Sequence, residues 1–257
     1  MSFTLSAMAE NDARAHALAD YPREACGLIV DGLYVPCTNI AAEPLANFKI
    51  AGVEILARTK GKRLEAIVHS HPTANAAPSE NDMRAQLGAA LPFVIVPTNG
   101  ETCGTTVMWG DGVAIPDLVG REFMHGVTDC YSSVRDFFRL PGDVLEAQGF
   151  PRPAYEPFTL PEVPREDGWW GRPGEPGEDL YTKGFEPNGF VRISHSEARP
   201  GDGFLCRIRS EQLNHAGVLV SNDLIFHHLP GRLSRREPAG IWARSAEVWV
   251  RRVSPTP

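Results

Sequence analysis

The sequence predicts an α/β (α+β) protein with two domains, and three observations lead to this fold class. Over about the first 110 residues, segments with a helical apolar period alternate with short apolar runs typical of strands. A turn-rich stretch, GDGVAIPD at 110–117, then predicts a domain boundary. Beyond residue 200 the chain again carries short runs of branched and aromatic residues. We therefore expect a mixed sheet in the first domain and a strand-rich second domain.

Apolar spacing and breaker residues define the elements of the first domain. Residues 4–19 follow a helical period, and Pro22 ends that helix. CGLIVDG predicts a short strand that Gly32 closes. The remaining expected elements are a helix at 52–60, the strand LEAIVHSH, the helix SENDMRAQLGAAL, and the strands FVIVPT and GTTVMWG.

The second domain is expected to begin with a helix from Cys130 onward. Its predicted strands are GDGFLCRIR, HAGVLVSN, DLIFHHL and AEVWVRR. Between them, residues 141–177 hold eight prolines and six glycines, a composition that excludes long helices and central strands. The stretch also carries large aromatic side chains that a flexible linker rarely needs, namely Tyr155, Phe158, Trp169 and Trp170. We therefore interpret this stretch as an ordered insertion within the second domain.

Composition and charge exclude several classes of protein. Of the 257 residues, 42% are hydrophobic and 22% charged, which excludes wholesale disorder. The net charge of −7 argues against a general nucleic-acid binder. No apolar run approaches the ~18 residues of a membrane-spanning helix. The opening MSFTLSAMAEND lacks the basic start and apolar core of a secretory signal, so we expect none.

The five cysteines are widely spaced, odd in number and without a CxxC pair. We therefore expect neither a disulfide framework nor a cysteine zinc knuckle. Most are expected to be small buried apolar side chains, and Cys130 is the exception.

The motif HSHP at 69–72, followed by Ser79 and Asp82, predicts a metal site. Residues i and i+2 of a strand share a face, so His69 and His71 can direct both imidazoles at one point. Ser79 is a natural N-cap, which puts Asp82 in the first turn of the next helix. Two imidazoles and one carboxylate suit a catalytic zinc ion whose fourth position is left to water. The alternative is a purely structural role, in which Ser79 and Asp82 only cap a helix and the two histidines are solvated.

A zinc-activated water also needs a general base. Glu24, just before the strand CGLIV, could supply it if that strand neighbours the histidine strand. The spacing alone does not distinguish Glu24 from Glu54, Glu65 or Glu80.

These residues, together with the EACG context of Glu24 and the Pro-Ser step that precedes the helix, resemble the JAMM (MPN-type) metallopeptidases over about residues 5–110. The resemblance implies a mixed-sheet zinc metallopeptidase domain over residues 1–112. It implies one zinc ion on His69, His71 and Asp82, with Glu24 as the general base and Ser79 helping to stabilise the oxyanion.

A second candidate site centres on Cys130 in TDCYS, where Asp129 is a good N-cap. The helix N-terminus favours the thiolate, whereas the neighbouring carboxylate opposes it, so an imidazole partner is required. His215, at the start of a strand, is the candidate. A hairpin through the following turn would bring His227 or His228 close enough to orient its ring. The alternative is a purely structural role, in which Cys130 packs in the core and His227 and His228 are a surface pair.

The Asp-Cys step at a helix start, PGDG at 200–203 and HAGV at 215–218 resemble the NlpC-type papain-like cysteine peptidases over about residues 118–252. The resemblance implies a domain over 118–257 with a nucleophile helix and an antiparallel sheet. Cys130 would be the nucleophile, His215 the base and His227 the orienting residue, although a slip of one residue would favour His228. The family cleaves stem peptides of bacterial cell wall at bonds to a diamino acid.

A JAMM-type domain followed by an NlpC-type domain resembles a family of tail-tip components of lambda-like bacteriophages, as do the stretches HHLPGRLSRRE and DLYTKGFEPNGF. The resemblance implies synthesis in the host cytoplasm, a place at the virion tail tip, and peptidoglycan and other tail-tip proteins as partners. No nucleic-acid partner and no membrane span are expected. The alternatives are a structural assembly component with idle sites and a host enzyme that remodels the wall.

The segment 231–252 carries six arginines against two glutamates, a local charge of +4 in an acidic protein. An acidic wall polymer or an acidic tail partner could bind there. A solvated edge strand is the alternative, since cationic side chains on an edge deter pairing.

Overall fold

The computed structural model describes residues 2–171, 180–181 and 184–253, which form two units, Met1–Ala114 and Ile115–Pro257. Each unit has its own sheet, and the predicted mixed α/β class is confirmed. Part of the predicted insertion, residues 172–177, lies outside the described residues. Among the described residues, no helix has the length and apolar character needed to cross a bilayer. All five cysteines are free.

The first unit contains a five-stranded mixed sheet with strand order β2-β1-β3-β4-β5. Only β3 and β4 are parallel to each other, and the other neighbours are antiparallel. The elements are α1 (Ala7–Asp20), β1 (Cys26–Val30), β2 (Leu33–Cys37), α2 (Gly52–Thr59), β3 (Leu64–His71), α3 (Glu80–Ala89), β4 (Pro92–Pro97) and β5 (Val107–Gly110).

Strand β2 was not among the predicted elements. Its sequence, LYVPC, contains Pro36, which has no amide hydrogen and therefore argues against a central strand. The structure places β2 at the sheet edge, where it pairs only with β1. A proline is tolerated there because one side of an edge strand has no partner.

The core of the first unit is built on both faces of this sheet. Helix α1 packs Ala9, Ala13 and Ala17, which follow a helical period, against apolar residues of β1, β3 and β4. Strand β1 also contributes Cys26 and Leu28 to a second apolar cluster. Burial on both faces explains why β1 and β4 are apolar without alternation.

The second unit contains a six-stranded antiparallel sheet with strand order β10-β9-β8-β7-β11-β6. The strands β6, β10 and two short helices were not predicted. The elements are α4 (Cys130–Arg139), α5 (Gly142–Ala147), β6 (Phe190–Ile193), β7 (Gly203–Cys206), β8 (His215–Leu219), β9 (Leu224–His227), β10 (Arg235–Pro238), α6 (Ala239–Ser245) and β11 (Val248–Arg252).

The described part of the Pro/Gly-rich insertion packs on the core of its own unit. Trp169 is buried in the cluster that also holds Phe137 and Phe138 of α4. Three further aromatic side chains of the insertion, Tyr155, Phe158 and Trp170, are partly buried against the same cluster. These rings therefore stabilise the second unit.

Arginines of the 231–252 segment are largely engaged within the second unit. Arg235 pairs with Glu237, and Arg251 pairs with Asp202. Arg236 and Arg252 lie over the rings of Phe150 and Phe158. Strand β10 does form a sheet edge, whereas β11 lies between two other strands.

Candidate active sites

The three predicted metal ligands lie together in the first unit. His69 and His71 are at the end of β3, and Asp82 lies in the first turn of α3. The Asp82 carboxylate faces both rings, with Oδ1 3.2 Å from His69 Nε2 and Oδ2 3.3 Å from His71 Nε2. The two Nε2 atoms are 3.1 Å apart. All three side chains are buried, and within the described chain they form a group able to hold a metal ion.

This arrangement fits zinc. Bonds of ~2.0–2.2 Å in tetrahedral geometry separate the ligand atoms by roughly 3.3 Å, close to the spacings of the three side chains. Burial alone would raise the pKa of Asp82, but the imidazoles of His69 and His71 that face it hold the pKa well below its ordinary value. Burial lowers the pKa of His69; burial acts in the same direction on His71, but the Asp82 carboxylate outweighs it and raises the pKa of His71. An ionised carboxylate and a neutral imidazole are the forms that bind zinc.

Neighbouring groups fix the orientation of the ligands. His71 Nδ1 lies 2.8 Å from the carbonyl oxygen of Asn75, and donating to it leaves Nε2 with its lone pair toward the cluster. The His69 ring stacks on Phe48 with ring centroids 4.4 Å apart. Ser79 caps α3, and its hydroxyl donates to Asp82 Oδ2 at 2.6 Å. This gives Ser79 a role in orienting Asp82.

Glu24 lies beside the same cluster. Cys26 pairs with His69 and Gly27 with Val68, so the register continued beyond β1 places Glu24 opposite His71. Burial raises the pKa of the Glu24 carboxyl to about 7, with opposing contributions from His71 and Asp82. The other candidate bases have partners elsewhere: Glu54 with Arg58, Glu65 with Arg63 and Glu80 with Arg84.

In the second unit, Cys130 is the first residue of α4. The side chain of Asp129 accepts a hydrogen bond from the Ser132 amide at 2.8 Å, as predicted for an N-cap. The Cys130 thiol lies 3.2 Å from the Tyr181 hydroxyl. Cys130 and His215 line one cavity of about 120 Å³, and its walls are mainly apolar and aromatic. Among the wall residues are Phe123, His125, Trp169, Trp170, Ile208 and Leu229.

The two imidazoles of this site come from neighbouring antiparallel strands. His215 Nε2 on β8 lies 3.0 Å from His227 Nδ1 on β9. Gly217 allows the strands to approach, since a Cβ there would lie 2.6 Å from the Phe204 ring and 2.7 Å from the Phe226 carbonyl oxygen. Of the two histidines left open by the sequence, the structure brings His227 to His215.

His228 makes different contacts. Its Nδ1 lies 3.4 Å from the Ser133 hydroxyl, and its Nε2 lies 3.1 Å from the Arg232 carbonyl oxygen. Successive side chains of an extended chain point to opposite faces, which separates His228 from the His215 contact. His228 therefore links α4 to the loop before β10.

The protonation states of the cysteine site follow from its burial. Burial raises the pKa of the Cys130 thiol to about 11, and the Asp129 charge adds to the increase. Burial holds the pKa of His215 well below its ordinary value, and the other two histidines of the site act in the same direction. The expected preference for thiolate at the helix N-terminus is thus outweighed, and the pair rests as neutral thiol and neutral imidazole.

A buried arginine of the insertion holds the helix that carries Cys130. Arg165 Nε and Nη2 lie 2.8 and 2.9 Å from the two carboxylate oxygens of Asp129, and Nη2 lies 2.7 Å from Ser132 Oγ. Its guanidinium also lies over the Tyr131 ring at 4.9 Å. The Arg165 side chain is only 1% exposed. The insertion thereby fixes the N-cap of α4.

Tyr181, Arg165 and Glu237 were not among the predicted site residues. Glu237 Oε1 lies 2.8 Å from His227 Nε2, but its strand was not predicted. Arg165 lies in the Pro/Gly-rich stretch, where no spacing relates it to Asp129. The one available signal was charge, since an arginine among prolines and aromatic residues requires an acidic partner when it is buried.

Comparisons with known proteins relate the first unit to a domain family and most of the chain to phage tail proteins. Residues 6–109 match the family of prokaryotic homologs of the JAB domain, which is JAMM/MPN-like. Tail tip assembly protein K of Escherichia phage lambda is 35% identical over 187 residues, covering 73% of this chain and 77% of that protein. Tail tip assembly protein K of Escherichia phage N15 is 33% identical over 247 residues, covering 92% of this chain and 91% of that protein.

A solved structure, protein DSY2949 from Desulfitobacterium hafniense, is similar to part of this chain. It aligns at 22% identity and a TM-score of 0.33, covering 43% of this chain and 90% of its own.

Proposed function

This chain belongs to the family of tail tip assembly protein K, and on that basis we propose that it is a phage tail-tip protein that cleaves amide bonds of the bacterial cell wall. In this proposal residues 118–257 form an NlpC-type cysteine endopeptidase domain and residues 1–112 a JAMM-type zinc peptidase domain. The protein is made in the host cytoplasm, joins other tail-tip proteins in the virion, and contacts peptidoglycan at wall penetration.

The observation that carries the proposal is the juxtaposition of Cys130 and His215 in one cavity. A nucleophile needs a base within reach, and the base needs a partner that fixes its ring. His227 supplies that partner through its 3.0 Å contact with His215 Nε2. The ring nitrogen left to take the thiol proton is then His215 Nδ1.

In the proposed reaction, Cys130 Sγ attacks the carbonyl carbon of a stem-peptide amide while His215 Nδ1 takes the thiol proton. The C–N bond breaks, His215 returns the proton to the leaving amine, and a thioester remains on Cys130. Water then attacks the thioester with His215 again as the base, which releases the carboxylate and regenerates the thiol. The positive end of α4 lies where negative charge develops on the carbonyl oxygen.

In the first unit we propose that His69, His71 and Asp82 hold one zinc ion. When bound, zinc supplies Lewis-acid chemistry that activates water and polarises an amide carbonyl. Glu24, with a pKa of about 7, can accept and return a proton at neutral pH. Ser79 keeps Asp82 in place, and we propose that its hydroxyl also stabilises the oxyanion. This centre needs no covalent intermediate with the protein.

A second candidate function is structural, in which the protein serves tail-tip assembly with one or both sites idle. The contact between the Tyr181 hydroxyl and the Cys130 thiol at 3.2 Å favours this candidate for the second unit. The high pKa of the thiol also favours it, because a neutral thiol is a weak nucleophile without its base.

Digestion of purified peptidoglycan, read by mass spectrometry of the released fragments, tests the proposal. The protein is used with and without the zinc chelator 1,10-phenanthroline. The variants are Cys130→Ala, His71→Ala and, as a matched control for cysteine removal, Cys103→Ala. Cys103 is partly exposed and lies outside both sites.

We expect stem-peptide fragments that persist in the chelator and in Cys103→Ala but are absent with Cys130→Ala. Fragments that disappear with the chelator and in His71→Ala would assign wall cleavage to the zinc centre instead. Undiminished cleavage by folded Cys130→Ala would refute the cysteine centre. If wild-type protein releases no fragments, the structural candidate is favoured.

A further inference from the structure

The buried hydrogen-bond chain behind the Cys130 thiol continues past His227 to a carboxylate. Glu237 Oε1 lies 2.8 Å from His227 Nε2 and accepts from Trp242 Nε1 at 2.7 Å. The other oxygen of Glu237 lies 2.7 Å from Arg235 Nη2. We propose that Glu237 is a positioning residue that sets the tautomers of both histidines, an inference that rests on the proposed cysteine peptidase function.

The tautomers follow from the hydrogen-bonding capacity of each group. An ionised carboxylate only accepts, so Glu237 requires the proton of neutral His227 to be on Nε2. His227 Nδ1 is then an acceptor and takes the proton that His215 carries on Nε2. His215 Nδ1 is left with a free lone pair, which is the form that a general base needs.

The strand register explains how Glu237 reaches this position. Arg235 pairs directly with His227 across β10 and β9, and Glu237 pairs with Ile225. Glu237 is therefore the diagonal neighbour of His227, a separation that a long side chain can span. Trp242 of α6 packs beside both rings, at 4.4 Å from His227 and 5.3 Å from His215 between centroids.

The burial of His227 indicates that its contact with Glu237 is not an incidental surface contact. The His227 side chain is 1% exposed, whereas that of Glu237 is 21% exposed and that of Arg235 39%. Glu237 thus lies at the edge of the sheet and places its negative charge beside the buried His227 ring. That charge stabilises the histidine pair when His215 becomes protonated.

Several charges act on this histidine pair. Glu237 on β10 favours its protonation, whereas Arg235 on β10 and His228 after β9 oppose it. On the thiol side, Asp129 at the start of α4 faces Cys130, and Arg165 offsets that charge. Removing Glu237 therefore makes the imidazolium less stable and thiolate formation less favourable.

The test is the rate at which iodoacetamide alkylates Cys130, measured by mass spectrometry of its peptide between pH 5 and pH 11 on the full chain. The central variant is Glu237→Gln, which keeps the size of the side chain and removes its charge. Its matched control is Glu247→Gln, since Glu247 pairs with Arg207 on the surface, away from the histidines. Wild type and Cys130→Ala are tested for wall cleavage from the same preparations.

We expect Glu237→Gln to move the alkylation midpoint upward by about one pH unit, because a charge at such a distance changes a pKa by that order. Below the midpoint this corresponds to about tenfold slower alkylation. Glu247→Gln should follow the wild type. Glu237→Asp keeps the charge, but its shorter side chain lengthens the 2.8 Å contact to His227, so it should recover more than half of the shift but not all of it.

A folded Glu237→Gln with the wild-type profile would overturn the inference, as would a Glu237→Asp profile shifted as far as that of Glu237→Gln. If Glu237→Gln does not fold, Glu237→Asp alone decides: a slower rate supports the role and an unchanged profile overturns it. Failure of the wild type to cleave wall refutes the proposed function separately, because alkylation does not require the wall substrate.

Discussion

The His–His–Asp cluster of the first unit and the His–His–Glu chain of the second both contain two oriented imidazoles, but the fold holds the two pairs differently. His69 and His71 stand two residues apart on one strand, so the strand itself directs both rings to one point. His215 and His227 stand on neighbouring strands, and only the pairing of β8 with β9 brings them together. One arrangement is local in sequence, and the other depends on register.

The carboxylates differ in the same way. Asp82 lies between the two rings of its site and contacts both of them directly. Glu237 contacts only the second ring of its site and acts on the first through it. A direct carboxylate suits a cation-binding site, whereas a carboxylate at the end of a chain suits a site whose resting state is neutral.

The largest expected effect is loss of the proposed zinc ion on Asp82→Asn. Replacing a direct ligand should weaken zinc binding by more than roughly 100-fold, beyond the loss typical of residues that only orient a ligand. The zinc content of the purified protein, measured by inductively coupled plasma mass spectrometry, should fall from about one per chain to background.

Glu80→Gln is the matched control for this change. Glu80 lies on the same first turn of α3 but pairs with Arg84 instead of the histidines. We expect it to retain zinc, and Cys130→Ala should retain zinc as well. Full zinc content in folded Asp82→Asn would remove Asp82 from the ligand set.

The next effect concerns the buried ion pair between Arg165 and Asp129, which holds the start of α4. Arg165→Met leaves the Asp129 carboxylate buried without its cation, which typically costs about 3–5 kcal/mol. Urea unfolding at pH 7 measures the loss. Although burial would raise it, the Arg165 charge lowers the pKa of Asp129 from 3.8 to about 2. The stabilisation of the folded state by this ion pair is therefore present above pH 4 and is lost as the pH falls through 2. The difference in unfolding free energy between wild type and Arg165→Met should therefore narrow at low pH.

Arg152→Met is the control in the same insertion. Arg152 pairs with Glu146, and both side chains are more than half exposed. Such pairs contribute little, so we expect a change within about 0.5 kcal/mol. Equal losses for the two variants would show that the buried pair has no special part in holding α4.

The comparison also explains how much could be predicted from sequence. Every helix or strand that carries a proposed metal ligand or the proposed nucleophile Cys130 was predicted, because each is bounded by breakers or has a clear period. The His69–His71–Asp82 cluster needs only a strand, a proline and a capped helix in succession. Local rules are sufficient for such a cluster, and the structure brings its three members together.

What could not be predicted depends on long-range pairing. Choosing Glu24 over Glu54, Glu65 and Glu80 requires knowing that β1 and β3 are neighbours. Choosing His227 over His228 requires the register of a hairpin, which a shift of one residue would reverse. Glu237 requires a strand, β10, whose sequence RREP has neither apolar alternation nor branched residues.

The smallest effect separates two roles of one hydroxyl. Ser79→Ala and Ser6→Ala each remove the N-cap of a helix, and each should cost about 1 kcal/mol in urea unfolding. Only Ser79 also donates to a proposed ligand, at 2.6 Å from Asp82 Oδ2. Ser79→Ala should therefore weaken zinc binding about tenfold, as expected for a group that orients a ligand, whereas Ser6→Ala should leave it unchanged. Equal zinc affinity in the two variants, measured by competition with a chromogenic chelator, would reduce Ser79 to a helix cap.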